Sequence, residues 1–186
     1  MKSVLIREIR AFYSVNSHMK KALTIIFFLP LFSLSQDCKL NKSTDNFTHE
    51  IRLSTGFMPL NIGFDRVLLS IDANSAEVDF FFSIAGDSKC FDNSSTATVI
   101  FDGSKSKNNF KNTGTMNCEG LFHFTFRNLA GTPSTLQRFA TLKVSSISFT
   151  GNNKKITIIT LNEDQKVLLM NMAACLIKES KTLLKK

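Results

Sequence analysis

The sequence predicts a mainly β fold: an antiparallel β-sandwich, or a related two-layer sheet arrangement, with a C-terminal helix. Three observations predict it. Apolar residues return at every second position through most of the chain, short clusters of Asp, Asn, Ser and Gly separate those runs, and one stretch near the C-terminus changes to helical spacing. The same elements also fit an α+β fold, which is the alternative.

Taken in order, Phe47, His49, Ile51 and Leu53 alternate with Thr48, Glu50 and Arg52, as they would on a half-buried strand. Val67 to Ile71 is a further candidate. Val78, Phe80, Phe82 and Ile84 share one face of the next strand, and the run Phe80-Phe81-Phe82 is expected to contribute to both sides of it. Thr96 to Phe101 follows, and then Phe122, Phe124 and Phe126 alternate with His123, Thr125 and Arg127. Val144 to Phe149 and Ile156 to Leu161 are joined by Gly151-Asn152-Asn153-Lys154, a hairpin connection. Turn residues at Asp72 to Ser75, Asp87 to Lys89, Asp92 to Ser95 and Asn128 to Gly131 separate the other strands.

Two segments depart from the period of two. Thr132 as a cap and Pro133 as a first-turn proline precede Leu136, Phe139 and Ala140, so one or two helical turns are expected there. Asn162, with Gln165 three positions on, reads as an N-cap opening a longer helix over 163–181. Its apolar face is broad, and Leu168, Met172 and Ile177 are expected to meet the sheet.

A chain of 186 residues, 43% hydrophobic and 20% charged, is one globular domain's worth and excludes a disordered, collagen-like or multi-span membrane protein. Met19-Lys20-Lys21, the apolar run Ala22 to Leu34, and the small residues Ser33 and Ser35 together read as a secretory signal peptide over 19–35, cleaved near Ser35. That run is too short to be a transmembrane anchor. Met1 to His18 reads as an extension upstream of the true start, the alternative being a long cationic leader. The expected mature chain is a single β-rich domain over 36–186, secreted or periplasmic, with 18 basic against 14 acidic residues in place of the whole sequence's net +8. Lys166, Lys178, Lys181, Lys185 and Lys186 sit on the last stretch and read as a solvated helix face and tail, so nucleic acid is not an expected partner.

The four cysteines, Cys38, Cys90, Cys118 and Cys175, all lie beyond the leader, and an even number in an exported chain predicts disulfides with three connectivities open. No pair has C-x-x-C spacing, and His49 and His123 are the only imidazoles left after the leader, so neither a zinc site nor a thiol redox site is expected. Strands folded about Ser104 would set residues summing to 208 opposite one another, which favours Cys90 with Cys118 and leaves Cys38 with Cys175. The competing expectation is that Cys175 lies within the apolar face of its helix as a small core residue.

Asp45-Asn46-Phe47-Thr48 after an early cysteine, Lys89-Cys90, Val99-Ile100-Phe101-Asp102-Gly103, Asn117-Cys118-Glu119-Gly120, the stretch Leu136 to Ile147 and the terminal Cys175-Leu176 give the chain a recognisable outline. It resembles small exported, uncharacterised proteins of Bacteroidetes-type bacteria over most of residues 37 to 177. The resemblance implies a four-cysteine β-domain with a C-terminal helix and carries no activity to transfer.

Candidate chemistry is sparse. His123 lies on the opposite strand face from Phe122, Phe124 and Phe126, where Asp79 or Asp102 could orient it as a general base, but no serine sits in a G-x-S-x-G elbow. The bland reading is a surface histidine on an amphipathic strand. Asp102-Gly103-Ser104 lacks calcium-loop spacing and is explained by turn chemistry; no phosphate loop and no H-E-x-x-H are present. Of the 18 phenylalanines, 14 follow the leader, while Tyr13 is the only tyrosine and tryptophan is absent. Without amphipathic aromatics, a glycan platform or an aromatic hot spot is disfavoured, and the phenylalanines are expected in the core or, alternatively, around an apolar ligand cavity. The sequence therefore predicts an exported, non-catalytic β-domain acting as a structural or interaction module, with an envelope or extracellular protein as partner and with no cofactor. The alternative is a small apolar-ligand-binding protein or hydrolase using the His123 strand face.

Overall fold

The computed structural model describes residues 38–61, 66–87 and 89–184. The upstream extension and signal peptide expected over 1–35 lie outside the described residues.

The chain is mainly β, as the alternation predicts. Its strands are β1 (Asn41–Thr44), β2 (Ile51–Ser54), β3 (Met58–Asn61), β4 (Val67–Ala73), β5 (Glu77–Ile84), β6 (Thr96–Phe101), β7 (Lys107–Lys111), β8 (Leu121–Arg127), β9 (Val144–Thr150) and β10 (Ile156–Thr160). Helix α1 (Ser134–Thr141) precedes β9, and helix α2 (Glu163–Ser180) follows β10, with one 3-10 turn after it at Lys181–Leu183. All pairings are antiparallel. One sheet runs β1-β2-β4-β5-β8 with β3 also paired to β4, and the other runs β10-β9-β6-β7. Strands β2 and β3 lie along different stretches of β4, and Thr55 between them keeps the ladder closed: its N–H donates to the Ile71 carbonyl at 3.0 Å and its Oγ1 accepts from the Ile71 N–H at 3.0 Å.

The core is built from the inward half of each alternation. In β5, Val78, Phe80, Phe82 and Ile84 are buried, and the β4 register sets Ala73, Ile71, Leu69 and Val67 beside them on the same face. Phe122 and Phe124 of β8 continue that layer, and Ala97, Val99, Phe101, Ile147 and Phe149 of the second sheet face it. Phe81 takes the outer face and is half-buried there, so the triple phenylalanine does line both sides of β5.

Several elements differ from the sequence reading, each for a local reason. Phe47 and His49 are not on a strand: Phe47 is 94% exposed, and β2 starts only at Ile51. The carboxylate of Asp45 accepts from the N–H groups of Phe47 and Thr48, which closes a turn that overrides the alternation. β4 continues through Asp72 and Ala73, so the turn to β5 sits later, where the Asn74 N–H donates to the Glu77 carbonyl. At α1 the N-cap is Pro133 itself, with no side-chain cap from Thr132. The helix is held instead by burial of Leu136 and Phe139 and by Arg138, whose guanidinium lies 4.9 Å from the Phe101 ring centroid and donates to Asn108.

At α2 the capping box forms in full: Asn162 Oδ1 accepts from the Gln165 N–H at 2.9 Å, and Gln165 Oε1 accepts from the Asn162 N–H at 3.0 Å. Its buried stripe is Leu169, Ala173, Leu176, Ile177 and Ser180, whereas Leu168 is 39% exposed. Of the three residues expected to meet the sheet, Ile177 is buried and Met172 packs against the core, while Leu168 yields its place to Leu169. Leu169→Ala should cost about 2 to 5 kcal/mol and Leu168→Ala only about 0.5 kcal/mol, measured by guanidinium unfolding. Equal losses would mean that the helix docks in another phase. The end of α2 is tied to β8 through buried Asn128, whose Nδ2 donates to the carbonyls of Asn74 and Ser180 at 2.9 Å each.

Two disulfides join Cys38 to Cys175, with Cα atoms 5.6 Å apart, and Cys90 to Cys118, 3.9 Å apart, leaving no free cysteine. The first ties the chain ahead of β1 to α2, and the second closes the base of the β6–β7 hairpin.

Candidate functional site

The outer face of the larger sheet carries the one histidine that sequence reasoning singled out. Alternation along β8 turns Phe122 and Phe124 inward and His123 outward, and the β5–β8 register sets His123 opposite Phe81 and Thr125 opposite Asp79. His123 and Asp79 are therefore diagonal neighbours on one face. His123 Nδ1 lies 3.3 Å from Asp79 Oδ1, with the two side chains 28% and 14% exposed. Asp102, the other carboxylate considered, is elsewhere: its Oδ2 lies 3.1 Å from Lys166 Nζ on α2. The structure thus assigns the imidazole's partner as Asp79.

The surroundings fix the ring. Thr113 Oγ1 is 3.4 Å from Nδ1 and donates to the His123 carbonyl, while the His123 N–H donates to Asn112 Oδ1 at 3.0 Å. Gly114 lies so close that a Cβ there would fall 2.6 Å from Nε2. On the other side the Phe81 ring is 6.0 Å from the imidazole and carries Phe57 edge-on at 6.0 Å. One strand further, Asp72 stands opposite Asp79 and is engaged by Arg52 at 3.3 Å and by the Ser70 hydroxyl at 3.1 Å. The patch is a histidine–carboxylate pair beside an aromatic step and a second, arginine-bound carboxylate.

Hydrogen bonding to Asp79 raises the His123 pKa above its ordinary value; burial opposes this, and the charges of Asp79 and Glu77 add to it. The sign of the stability effect follows. A raised folded-state pKa contributes stability that is fully present below the unfolded value of about 6.5 and is lost as pH rises through the folded value. His123→Asn should therefore lower the melting temperature at pH 5 and change it little at pH 9. A penalty that stays the same at both pH values would show that the ion pair contributes nothing and that only packing was lost.

Chemically, this pair can take up and release a proton at Nε2 with Asp79 holding the ring. Among the described residues no hydroxyl or thiol is hydrogen bonded to Nε2, so a nucleophile is not preassembled. Clefts among the described residues lie elsewhere. One of about 410 Å³ is lined by Thr48, His49, Glu50, Ser75 and Leu183, and one of about 420 Å³ runs between α1 and α2 past Ala140, Ala174 and Lys178. The inward phenylalanines line neither. Phe80, Phe82, Phe122 and Phe124 are at most 2% exposed and pack ring against ring, so the apolar cavity considered as an alternative is not formed by them. Among the described residues, no cluster of His, Cys, Asp and Glu could hold a metal ion, and no helix is long and apolar enough to cross a membrane.

Sequence reasoning missed Asn112, Thr113 and Gly114, which position His123, and Phe57, which extends the aromatic step; none lies in a periodic run. The chain matches no family model, no curated protein and no solved structure.

Proposed function

We propose that this chain is exported and acts, in the cell envelope or outside the cell, as a structural or interaction module rather than as a catalyst. The observation that carries the reading is the pairing of all four cysteines in two disulfides, a chemistry that persists in oxidising compartments. The basic and apolar run over 19–35, read as a leader, supports export, and the sequence's resemblance to small exported bacterial proteins favours the same setting. The phenylalanine-filled interior supports a scaffold that presents its sheet faces to a partner.

The test is expression of the full chain in a bacterium, followed by intact-mass analysis of the periplasmic and culture fractions. A product starting at Gln36 with both disulfides formed is the expected result. A protein retained in the cytoplasm with free thiols would overturn the reading. A hydrolase on the His123 face rests on the His123–Asp79 hydrogen bond. Turnover of a chromogenic ester that is lost in His123→Asn would put that second reading in place of the first.

A further inference from the structure

Among the edges of the two sheets, one is chemically unlike the rest. The free side of β8 is covered by the segment that follows β7, through Asn112 and Thr113. The edge strand β7 carries Lys107 and Lys111, β1 carries Lys42, and β3, paired to β4 alone among the described strands, carries Pro59; charges and proline of this kind discourage strand addition. The edge strand β10 reads Ile156-Thr157-Ile158-Ile159-Thr160, with no charge and no proline, and among the described residues β9 is its only partner. Ile156 and Ile158 are 61% and 65% exposed on its outer face.

The hydrogen bonding of the β9–β10 hairpin shows which backbone groups are open. The Gly151 N–H donates to the Lys155 carbonyl and the Leu161 N–H to the Ser145 carbonyl, so the odd-numbered residues of β10 face β9. The N–H and C=O groups of Ile156, Ile158 and Thr160 then point away from the sheet, and among the described residues nothing is hydrogen bonded to them.

We propose that β10 pairs antiparallel with β10 of a second copy of this chain, about a two-fold axis at Ile158. In that register Ile158 faces Ile158 of the other copy and Ile156 faces Thr160, so all of the open groups of both strands are satisfied and the exposed isoleucines are brought together. The two small sheets become one continuous sheet. Charge complementarity selects this arrangement over a parallel one. Lys154 and Lys155 stand at the start of β10 and Asp164 just beyond its end, Glu163 beside it being already bridged by Lys143 and Lys166, and the antiparallel register brings each pair of lysines to Asp164 of the other copy. Among the described residues Lys154, Lys155 and Asp164 have no ion-pair partner within the chain. A parallel pairing would set lysine against lysine.

One strand pair is a small interface, so dimerisation is expected at roughly micromolar concentrations. Sedimentation velocity on the full-length exported protein should show a concentration-dependent monomer–dimer equilibrium. Ile158→Lys should raise its dissociation constant at least about tenfold, because two lysines then face each other across the axis. Thr98→Lys, on the same outer face but inside the sheet, should leave it unchanged. The register is read independently by cysteine pairing: Ile158→Cys should give a covalent dimer under oxidation, and Ile156→Cys should not, its two copies being about 13 Å apart along the strands. A protein monomeric at every concentration, a dimer indifferent to Ile158→Lys, or cross-linking at Ile156→Cys in place of Ile158→Cys would overturn the proposal. None of these readouts depends on where the protein is exported or on whether it catalyses anything.

Discussion

Phe124→Ala is expected to remove roughly 3 to 5 kcal/mol of stability, the upper range for truncation of a buried aromatic. Phe124 is 2% exposed and stacks on Phe110 at 4.4 Å and on Phe80 at 5.2 Å between ring centroids, with Phe82, Phe126 and Phe139 within about 6 Å around it. Those partners come from β5, β7, β8 and α1, so the ring joins both layers and the short helix. Removal leaves a void that rigid aromatic neighbours cannot collapse to fill. Phe57→Ala is the matched control: its ring is 58% exposed and touches Phe81 on the outer face, and it should cost under about 1 kcal/mol. The described chain has neither Tyr nor Trp, so the transition must be followed by far-ultraviolet circular dichroism rather than by intrinsic tryptophan fluorescence. A Phe124→Ala loss no larger than that of Phe57→Ala would show that the aromatic layer is loosely packed.

What could be read in advance follows from burial. Strands with one face in the core carry alternation, and β5, β6, β8 and β9 were legible for that reason; β10, where Ile156 and Ile158 are exposed and Thr157 is buried, was marked only by its run of β-branched residues. β1 is exposed along its whole length, β3 contains Pro59, and β7 carries Lys107, Asn109 and Lys111 on its outer face, so none shows a clean period of two. α2 was legible as a helix from its capping box. Ile177 and Met172 fall on the expected side, but the first buried residue was not legible, because Val167, Leu168, Leu169 and Met170 are consecutive apolar residues and spacing alone cannot choose between them.

The hairpin that carries Cys90 and Cys118 shows how a sum rule can hold and slip at once. β6 and β7 pair with residues summing to 207, as Thr96 with Lys111, yet the bridge between Phe91 and Asn117 beside the cysteines sums to 208. The one-residue change falls between the Ser95–Asn112 hydrogen bond and that bridge, with the extra residue on the Thr113 to Met116 side, opposite the turn that the Asp92 carboxylate builds by accepting from the N–H groups of Ser94 and Ser95. The site was legible in part. His123 could be placed outward from β8 alone, but choosing Asp79 over Asp102 needed the pairing of β5 with β8, which no local pattern in either strand specifies.

Loss of the Cys38–Cys175 disulfide, by replacing both cysteines with serine, is expected to be the most costly change outside the core. The bridge closes a loop with a sequence separation of 137 residues, against 28 for Cys90–Cys118. Chain entropy then assigns about 5 kcal/mol to the first and about 3.5 kcal/mol to the second. The native-state argument points the same way. Among the described residues β1 pairs only with β2, all of its residues are exposed, and ahead of it Leu40 alone packs against the core. Without the tether to α2, little holds β1 in place, so its amides should lose protection from hydrogen exchange before the rest of the sheet does. Replacing Cys90 and Cys118 should instead loosen the base of the β6–β7 hairpin and leave β1 protected. Guanidinium unfolding of the two double variants, with exchange mapped onto Asn41–Thr44, separates the two contributions. If the shorter loop proved the costlier to open, the bridges would be acting through local native contacts rather than by restricting the unfolded chain.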